Sequence, residues 1–534
     1  MTKIMKPFLY KRVSTKSVTP SIPVYSKQLT TRREVSWFLW LLASLTFYLA
    51  FAVADGPVLC VDSQSYISMD YSREPLYPLF LAMLRAVIGK APSRYGADIP
   101  RYLVVAVFIQ AVVTAIGVWY FVRIIVELGE ENSPFVSHDR ITKAILFVTC
   151  WGTDLLNRFV ARRSSMYMES IMTESLAIPL FLIFLACVFE YFRKHSALRL
   201  LGCLFLMAAL ISTRKQMAVS AVILVGFSFL YDLMHRRWKA FAACVFAALI
   251  AIGSATLAEY SYNYVLRGVL MHKTGNYKGT VCTLLYTARP QDEELFDDPE
   301  VRELFVSIYG VCRARGLTWE DYTDAYTDKG RQNASATAPD PRNNLPEPEI
   351  EVIERDVLTA TDVATGWIGR TDHFSESYDE IGYEVMLPIL KEKVLKDNPD
   401  IDGIHLALRV DKYMKELQDG LVRQNPSRFI QLFGMNMLEG LSNTILKKTP
   451  LLSSVAFCIL GVYIVMMLIL WQRYRKRSYP PVLLLAAIVL FSVFANCATV
   501  GAVIFPQTRY MIYNMAPFYC SGILMLTECR NSIN

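Results

Sequence analysis

Charge is scarce in this chain. Only 19% of its 534 residues are Asp, Glu, Lys or Arg, against about 25% in soluble domains. Hydrophobic residues reach 53% and the mean hydropathy is +0.30. These proportions exclude a soluble enzyme, a fibrous protein and a disordered chain. Cysteine offers no disulfide framework. There are 11, and most lie inside apolar runs, as Cys187, Cys203 and Cys458 do. Nucleotide-binding signatures are missing: no G-x-x-x-x-G-K-[ST] occurs, and no G-x-G-x-x-G follows a strand pattern. So are metal signatures. There is no H-E-x-x-H and no paired C-x-x-C, and the 6 histidines are scattered. His373 reads as an ordinary surface residue. No internal repeat and no low-complexity tract is visible. The net charge of +7 is modest, and no nucleic-acid partner is expected.

What is present is a series of apolar blocks, each long enough to cross a hydrocarbon core about 30 Å thick. The first runs from Trp37 to Ala54 behind a basic stretch that includes Arg32 and Arg33. No small-residue cleavage site follows, because the next residues are Asp55-Gly56-Pro57. A retained helix is therefore expected rather than a signal peptide. Further blocks lie near 102–126, 141–153, 170–192, 198–212, 216–234, 240–262, 450–471, 481–505 and 510–528. The expectation is a mainly α, polytopic membrane protein with about ten transmembrane helices. If the first span runs outward, strict alternation puts the loops holding Arg193, Lys194, Arg199, Arg236, Arg237, Arg473 and Arg475 on the cytoplasmic side, as the positive-inside rule requires. Both termini are then cytoplasmic.

The chain divides into a basic N-terminal segment (1–35), a transmembrane module (36–262) with a first outer loop at 55–101, an extracytoplasmic domain (263–449) and a second transmembrane module (450–534). Helical spacing recurs in the extracytoplasmic domain at 300–316, 377–397 and 402–423, and 331–349 reads as a linker carrying the sequon at Asn333. Asn425-Pro426 reads as a helix start. Cys282 and Cys312 are candidates to pair there. The stretch 76–89 is too short to cross and holds Arg85 at its centre. An interfacial helix fits it better.

Ionisable groups at membrane depth or at the rim are costly and often functional. Asp62 lies just beyond the first span and is either a general base for an acceptor hydroxyl or a solvated loop acid. Glu174 falls about one turn into the fourth span and either faces a polar cavity or serves the helix dipole. Cations gather on the outer side against the expected bias: Arg158, Arg162 and Arg163 before span four, Arg214 and Lys215 between spans five and six, and Arg509 before the last span. Arginine's planar fork suits phosphate. Simple snorkelling is the alternative for each residue.

The order of these features resembles the GT-C superfamily of integral-membrane glycosyltransferases. Members include the protein O-mannosyltransferases, aminoarabinose transferases and arabinofuranosyltransferases. The residues that carry the resemblance are the outer-loop Asp62, the segment Arg73-Glu74-Pro75-Leu76-Tyr77-Pro78, the run Met172-Thr173-Glu174-Ser175-Leu176, and Arg509-Tyr510 before a last span containing Pro517. It covers mainly 36–270 and the last span. Many members carry two adjacent acids in the first loop, whereas Asp62 is followed by Ser63.

The resemblance implies a GT-C-like fold and a polyprenyl-phosphate-linked sugar donor used on the outer face of the cell membrane. It also implies an extracytoplasmic glycan, lipid or protein acceptor. Asp62 and Glu174 become the catalytic acids. Arg73, Tyr77, Arg158, Arg162, Arg163, Arg214, Lys215, Arg509 and Tyr510 become the substrate-binding residues. Cations at the leaving phosphate would stabilise the transition state, and attack from the opposite face would invert the anomeric centre. A divalent cation, Mg or Mn, is compatible with this chemistry, although no ligand set demands one. The competing expectations are a lipid or polysaccharide transporter of the cell envelope, which would favour paired repeats and broken midplane helices, and a membrane-anchored receptor. Convergence of Asp62, Glu174 and Arg509 in one cavity would favour the enzyme.

Overall fold

The computed structural model describes residues 24–130, 140–160, 165–322, 366–475 and 480–531. The chain is mainly α. Among the described residues the strands are the short antiparallel pair β1 (Pro92–Ser93) and β2 (Gly96–Pro100).

Among the described residues, seven helical stretches are long and apolar enough to cross a membrane. They fall in α1 (Val24–Asp55), α4 (Arg101–Glu130), α6 (Glu174–Lys194), the short turn leading into α8 (Val219–Met234), α9 (Trp238–Arg267), α16 (Pro450–Tyr474) and α17 (Pro481–Gly501). The other expected spans are less clear-cut. The helix α5 (Arg140–Val160) carries Arg140, Lys143, Asp154 and Arg158, and α7 (Ala197–Thr213) has 17 residues. The last block is broken into α18 (Thr508–Met511), a 3₁₀ turn, and α19 (Met515–Asn531) of 17 residues.

The N-terminal and C-terminal helices share one apolar core. It runs from Trp37, Tyr48 and Phe121 through Phe181 and Phe189 to Tyr463, Tyr513 and Phe518. Within it α4 and α6 cross closely at Gly117. A Cβ there would lie 2.9 Å from the Pro179 Cβ and 3.0 Å from its carbonyl oxygen, so the crossing needs a residue without a side chain.

A second core gathers Val281, Phe305, Ile308, Phe374, Ile381 and Leu417 from the segment between α9 and α16. Its helices are α10 (Lys278–Thr287), α11 (Pro299–Ala314), α12 (Gly366–Asp379), α13 (Leu387–Asp397), α14 (Gly403–Leu421) and α15 (Ser427–Ile445). One π-helical stretch, Glu380–Met386, joins α12 to α13. The helix α15 belongs to both cores, with Leu432 in the second and Leu441 and Ile445 in the first.

Three expectations change here. His373 is buried, accepting from the Tyr286 hydroxyl at Nδ1 (2.8 Å) and donating from Nε2 to the Gly316 carbonyl (3.0 Å). Cys282 and Cys312 are free buried thiols, and burial pushes each up to about 12. The helix after Asn425 begins at Ser427, whose N–H is accepted by the Asn425 side chain at 3.0 Å. The sequon at Asn333 and the linker 331–349 lie outside the described residues.

The expected interfacial helix is α3 (Leu76–Ile88). It buries Tyr77, Leu81 and Leu84 and leaves Leu79, Met83 and Val87 exposed. Its Arg85 donates to the Ile67 carbonyl (3.3 Å), which ties the helix to the loop before it.

Candidate active site

The loop after α1 is shaped before any charge is placed on it. Gly56 turns the chain at φ +68, and a Cβ there would fall 2.4 Å from the Tyr95 ring, so only glycine fits. Val58 then pairs with the segment before α6: its N–H donates to the Glu169 carbonyl (2.9 Å) and its carbonyl accepts from Ile171 (3.0 Å). The Ser63 hydroxyl donates to the Ile171 carbonyl at 2.8 Å. This stitching sets Asp62 beside the start of α6, although 112 positions separate Asp62 from Glu174 in the chain.

Asp62 stands at the N-cap of the short helix α2 (Ser63–Ile67), yet its side chain makes no cap bond. An aspartate in that position ordinarily accepts from the first free N–H groups. Here the carboxylate turns to two arginines. Oδ1 meets Arg73 at 2.7 Å and Oδ2 meets Arg509 at 3.0 Å, and the side chain is 29% exposed. Burial works to raise this carboxyl, but Arg73 and Arg509 outweigh it and hold it below the usual carboxylate range.

Glu174 is fully buried at the first turn of α6. One oxygen pairs with Arg214, from the turn after α7, and the other accepts from the Thr173 hydroxyl at 3.1 Å. The Tyr510 ring joins the two acid–arginine groups. The Arg214 guanidinium lies 4.7 Å and that of Arg509 4.9 Å from its centroid, while Arg509 also donates to its hydroxyl at 2.9 Å. The Tyr510 backbone is held by Gln216 (3.1 Å) and by Asn496 of α17 (2.8 Å). Arg73 stacks at 4.5 Å on Tyr66 and donates to Ser65 at 2.7 Å. Three guanidinium groups thus face two carboxylates, an excess of one positive charge. The Arg509 Nε is buried with no hydrogen-bond partner among the described residues.

The structure brings Asp62, Arg73, Glu174, Arg214, Arg509 and Tyr510 together. It does not bring the other expected residues to them. Tyr77 is wholly buried below the site, donating to Gln110 at 3.0 Å and packing edge-on against Tyr66 at 5.3 Å. The Lys215 ammonium turns away to Asn276 (2.9 Å) and Glu259 (3.6 Å); Arg214 is extended (φ −160, ψ 126), a conformation that points neighbouring side chains to opposite sides. Arg158, in the last turn of α5, pairs with Asp55 at 2.8 Å and lies over Phe51, both at the end of α1. Arg162 and Arg163 lie outside the described residues.

Sequence reasoning missed Tyr66, Thr173 and Gln110. Gln110 donates to the Met168 (2.7 Å) and Ser170 (3.2 Å) carbonyls. A lone amide in the apolar run 102–126 was the available signal. Among the described residues no three His, Cys, Asp or Glu side chains group as a metal site. The chain matches no protein-family model, no curated protein and no solved structure.

Proposed function

We propose that the chain is an inverting membrane glycosyltransferase of the GT-C kind, which moves a sugar from a polyprenyl-phosphate donor to an acceptor hydroxyl. The observation that carries the reading is the meeting of Asp62 with Arg509, 447 residues apart, beside the buried Glu174–Arg214 pair. The surplus positive charge and the unpartnered Arg509 Nε suit a phosphodiester, which carries one negative charge. The apolar face of α3 suits a site that meets a lipid at the membrane surface. The site end of the bundle faces outward in this reading, with both termini cytoplasmic.

A carboxylate held by two arginines is a weak base. When the donor phosphate takes Arg509, Asp62 loses one of its counter-charges and gains basicity. The acceptor oxygen then attacks the anomeric carbon from the face opposite the phosphate. The new C–O bond forms as the bond from the anomeric carbon to the phosphate oxygen breaks. The acceptor proton passes to Asp62, and the electron pair leaves with the polyprenyl phosphate. Arg509 and Arg214 stabilise the charge that grows on the leaving oxygen. Glu174 keeps Arg214 oriented and ionised.

The test is transfer of radiolabelled sugar from a panel of polyprenyl-phosphate sugars in reconstituted vesicles, wild type against Asp62→Asn. Transfer by the wild type alone supports the reading. Failure with every donor, or equal transfer by both proteins, defeats it. Movement of intact lipid across the bilayer without a new glycosidic bond would mark a transporter instead.

A further inference from the structure

Glu74 follows Arg73 in sequence, and Lys215 follows Arg214. The Glu74 carboxylate is 6% exposed, and one of its oxygens takes two donors. It accepts the Lys215 backbone N–H at 2.8 Å and pairs with the Lys273 ammonium at 2.9 Å. The first bond therefore joins two stretches of backbone, each one residue away from an arginine of the site. Arg73 and Arg214 come from the first loop and from the α7–α8 turn, and the described structure joins these segments directly through this carboxylate.

Lys273 belongs to the connection 268–277 between α9 and the second core. That connection is tied on three sides. Lys273 N–H donates to Glu259 (2.6 Å), Thr274 N–H to the Tyr71 carbonyl (3.1 Å), and Gly275 N–H to Asp411 of α14 (2.7 Å). The connection thus links the second core to the loop that carries Asp62. Burial works to raise the Glu74 carboxyl, but Lys273 and the Lys215 amide outweigh it and hold it ionised below the usual range.

We propose that Glu74 is a positioning residue for the donor phosphate: it sets the spacing between Arg73 and Arg214, and the connection 268–277 clamps it there through Lys273. The inference rests on the donor-phosphate reading above. It assigns Glu74 no contact with substrate. Its effect is on where the guanidinium groups stand when the phosphate arrives, so it falls on donor binding more than on turnover.

The experiment measures binding of sugar-free polyprenyl phosphate to the full chain in vesicles, and the donor KM and kcat where transfer is seen. Glu74→Ala is expected to weaken binding and raise the donor KM roughly ten- to a hundredfold, with kcat changed about threefold or less. Glu74→Gln keeps an oxygen for the Lys215 N–H and should fall between wild type and Glu74→Ala. Should Glu74→Ala fail to fold, Lys273→Met carries the test, because it leaves Glu74 and its backbone bond in place and should weaken binding about threefold to tenfold. If the wild type binds polyprenyl phosphate and neither variant differs from it, the positioning role is overturned and the donor reading survives. If the wild type binds none, both fall together.

Discussion

The hairpin of α6 and α7 pairs a buried glutamate with an arginine at each of its ends. At one end Glu174 pairs with Arg214; at the other Glu190 pairs with Arg199 at 2.9 Å. Both glutamates are almost fully buried. The Glu190 pair is closed: Tyr120 donates to Glu190 at 3.3 Å and accepts from Arg199 at 2.9 Å. Within this group of three, the one acid balances the one base. The Glu174 end adds Asp62, Arg73 and Arg509, so that three guanidinium groups meet two carboxylates. A buried pair by itself is weak evidence of function. The difference between the two ends, rather than either pair, is what the proposed function rests on.

The comparison can be broken most severely at Asp62. Asp62→Asn should lower sugar transfer by about 10²–10⁴-fold while donor binding stays near wild type. Transfer within a few-fold of normal in the purified variant would move the base elsewhere. Next come the two glutamates, each replaced by alanine. Glu174→Ala strands the largely buried Arg214 guanidinium, at a cost of about 3–5 kcal/mol, whereas Glu190→Ala should cost less because Arg199 is 35% exposed; thermal unfolding in detergent would read both. Only Glu174→Ala should also impair transfer in the fraction that stays folded. Equal catalytic loss from Glu190→Ala would erase the distinction between the two ends.

Arg509 sharpens the same point with a smaller effect. Arg509→Ala should cost roughly ten- to a hundredfold in kcat/KM, the worth of one charge-assisted contact. Arg509→Lys should cost less, because it keeps the charge and loses only the fork. Kinetics over a donor series separates a loss in turnover from a loss in KM. An unchanged Arg509→Ala enzyme would leave Arg509 as an anchor of the Tyr510 ring.

The mildest test uses pH. Asp62 must be ionised to act as base, and its carboxyl is held below the usual range by Arg73 and Arg509 against burial. Activity is therefore present above that lowered value and lost as pH falls through it. Arg73→Gln removes one of the lowering charges, so the acid limb of kcat/KM should move to higher pH. A limb that stays in place would show that another group controls it.

Much of this was legible without coordinates. The apolar blocks announced a mainly α chain, and the amphipathic α3 was visible because Arg85 and a short length excluded a crossing. Asp62, Glu174, Arg214 and Arg509 stood out for one physical reason: a charge beside a long apolar run is costly, so its presence asks for a purpose. The π-helical stretch at Glu380–Met386 and the burial of His373 had no such signal, since their causes lie in the packing of the second core.

Composition and hydropathy determined by themselves that the chain is helical and suited to a membrane, because apolar run length is a local property that a bilayer reads directly. They also flagged which charges needed partners. Which partner each charge received was decided only by tertiary structure. Lys215 and Arg214 are neighbours in sequence, yet one faces Glu259 and the other Glu174. Arg158 looked equal to Arg509 until folding set it against Asp55. Pairing joins segments as close as 40 positions, for Glu174 and Arg214, and as far as 447, for Asp62 and Arg509, because Coulomb attraction acts on distance in space and not along the chain.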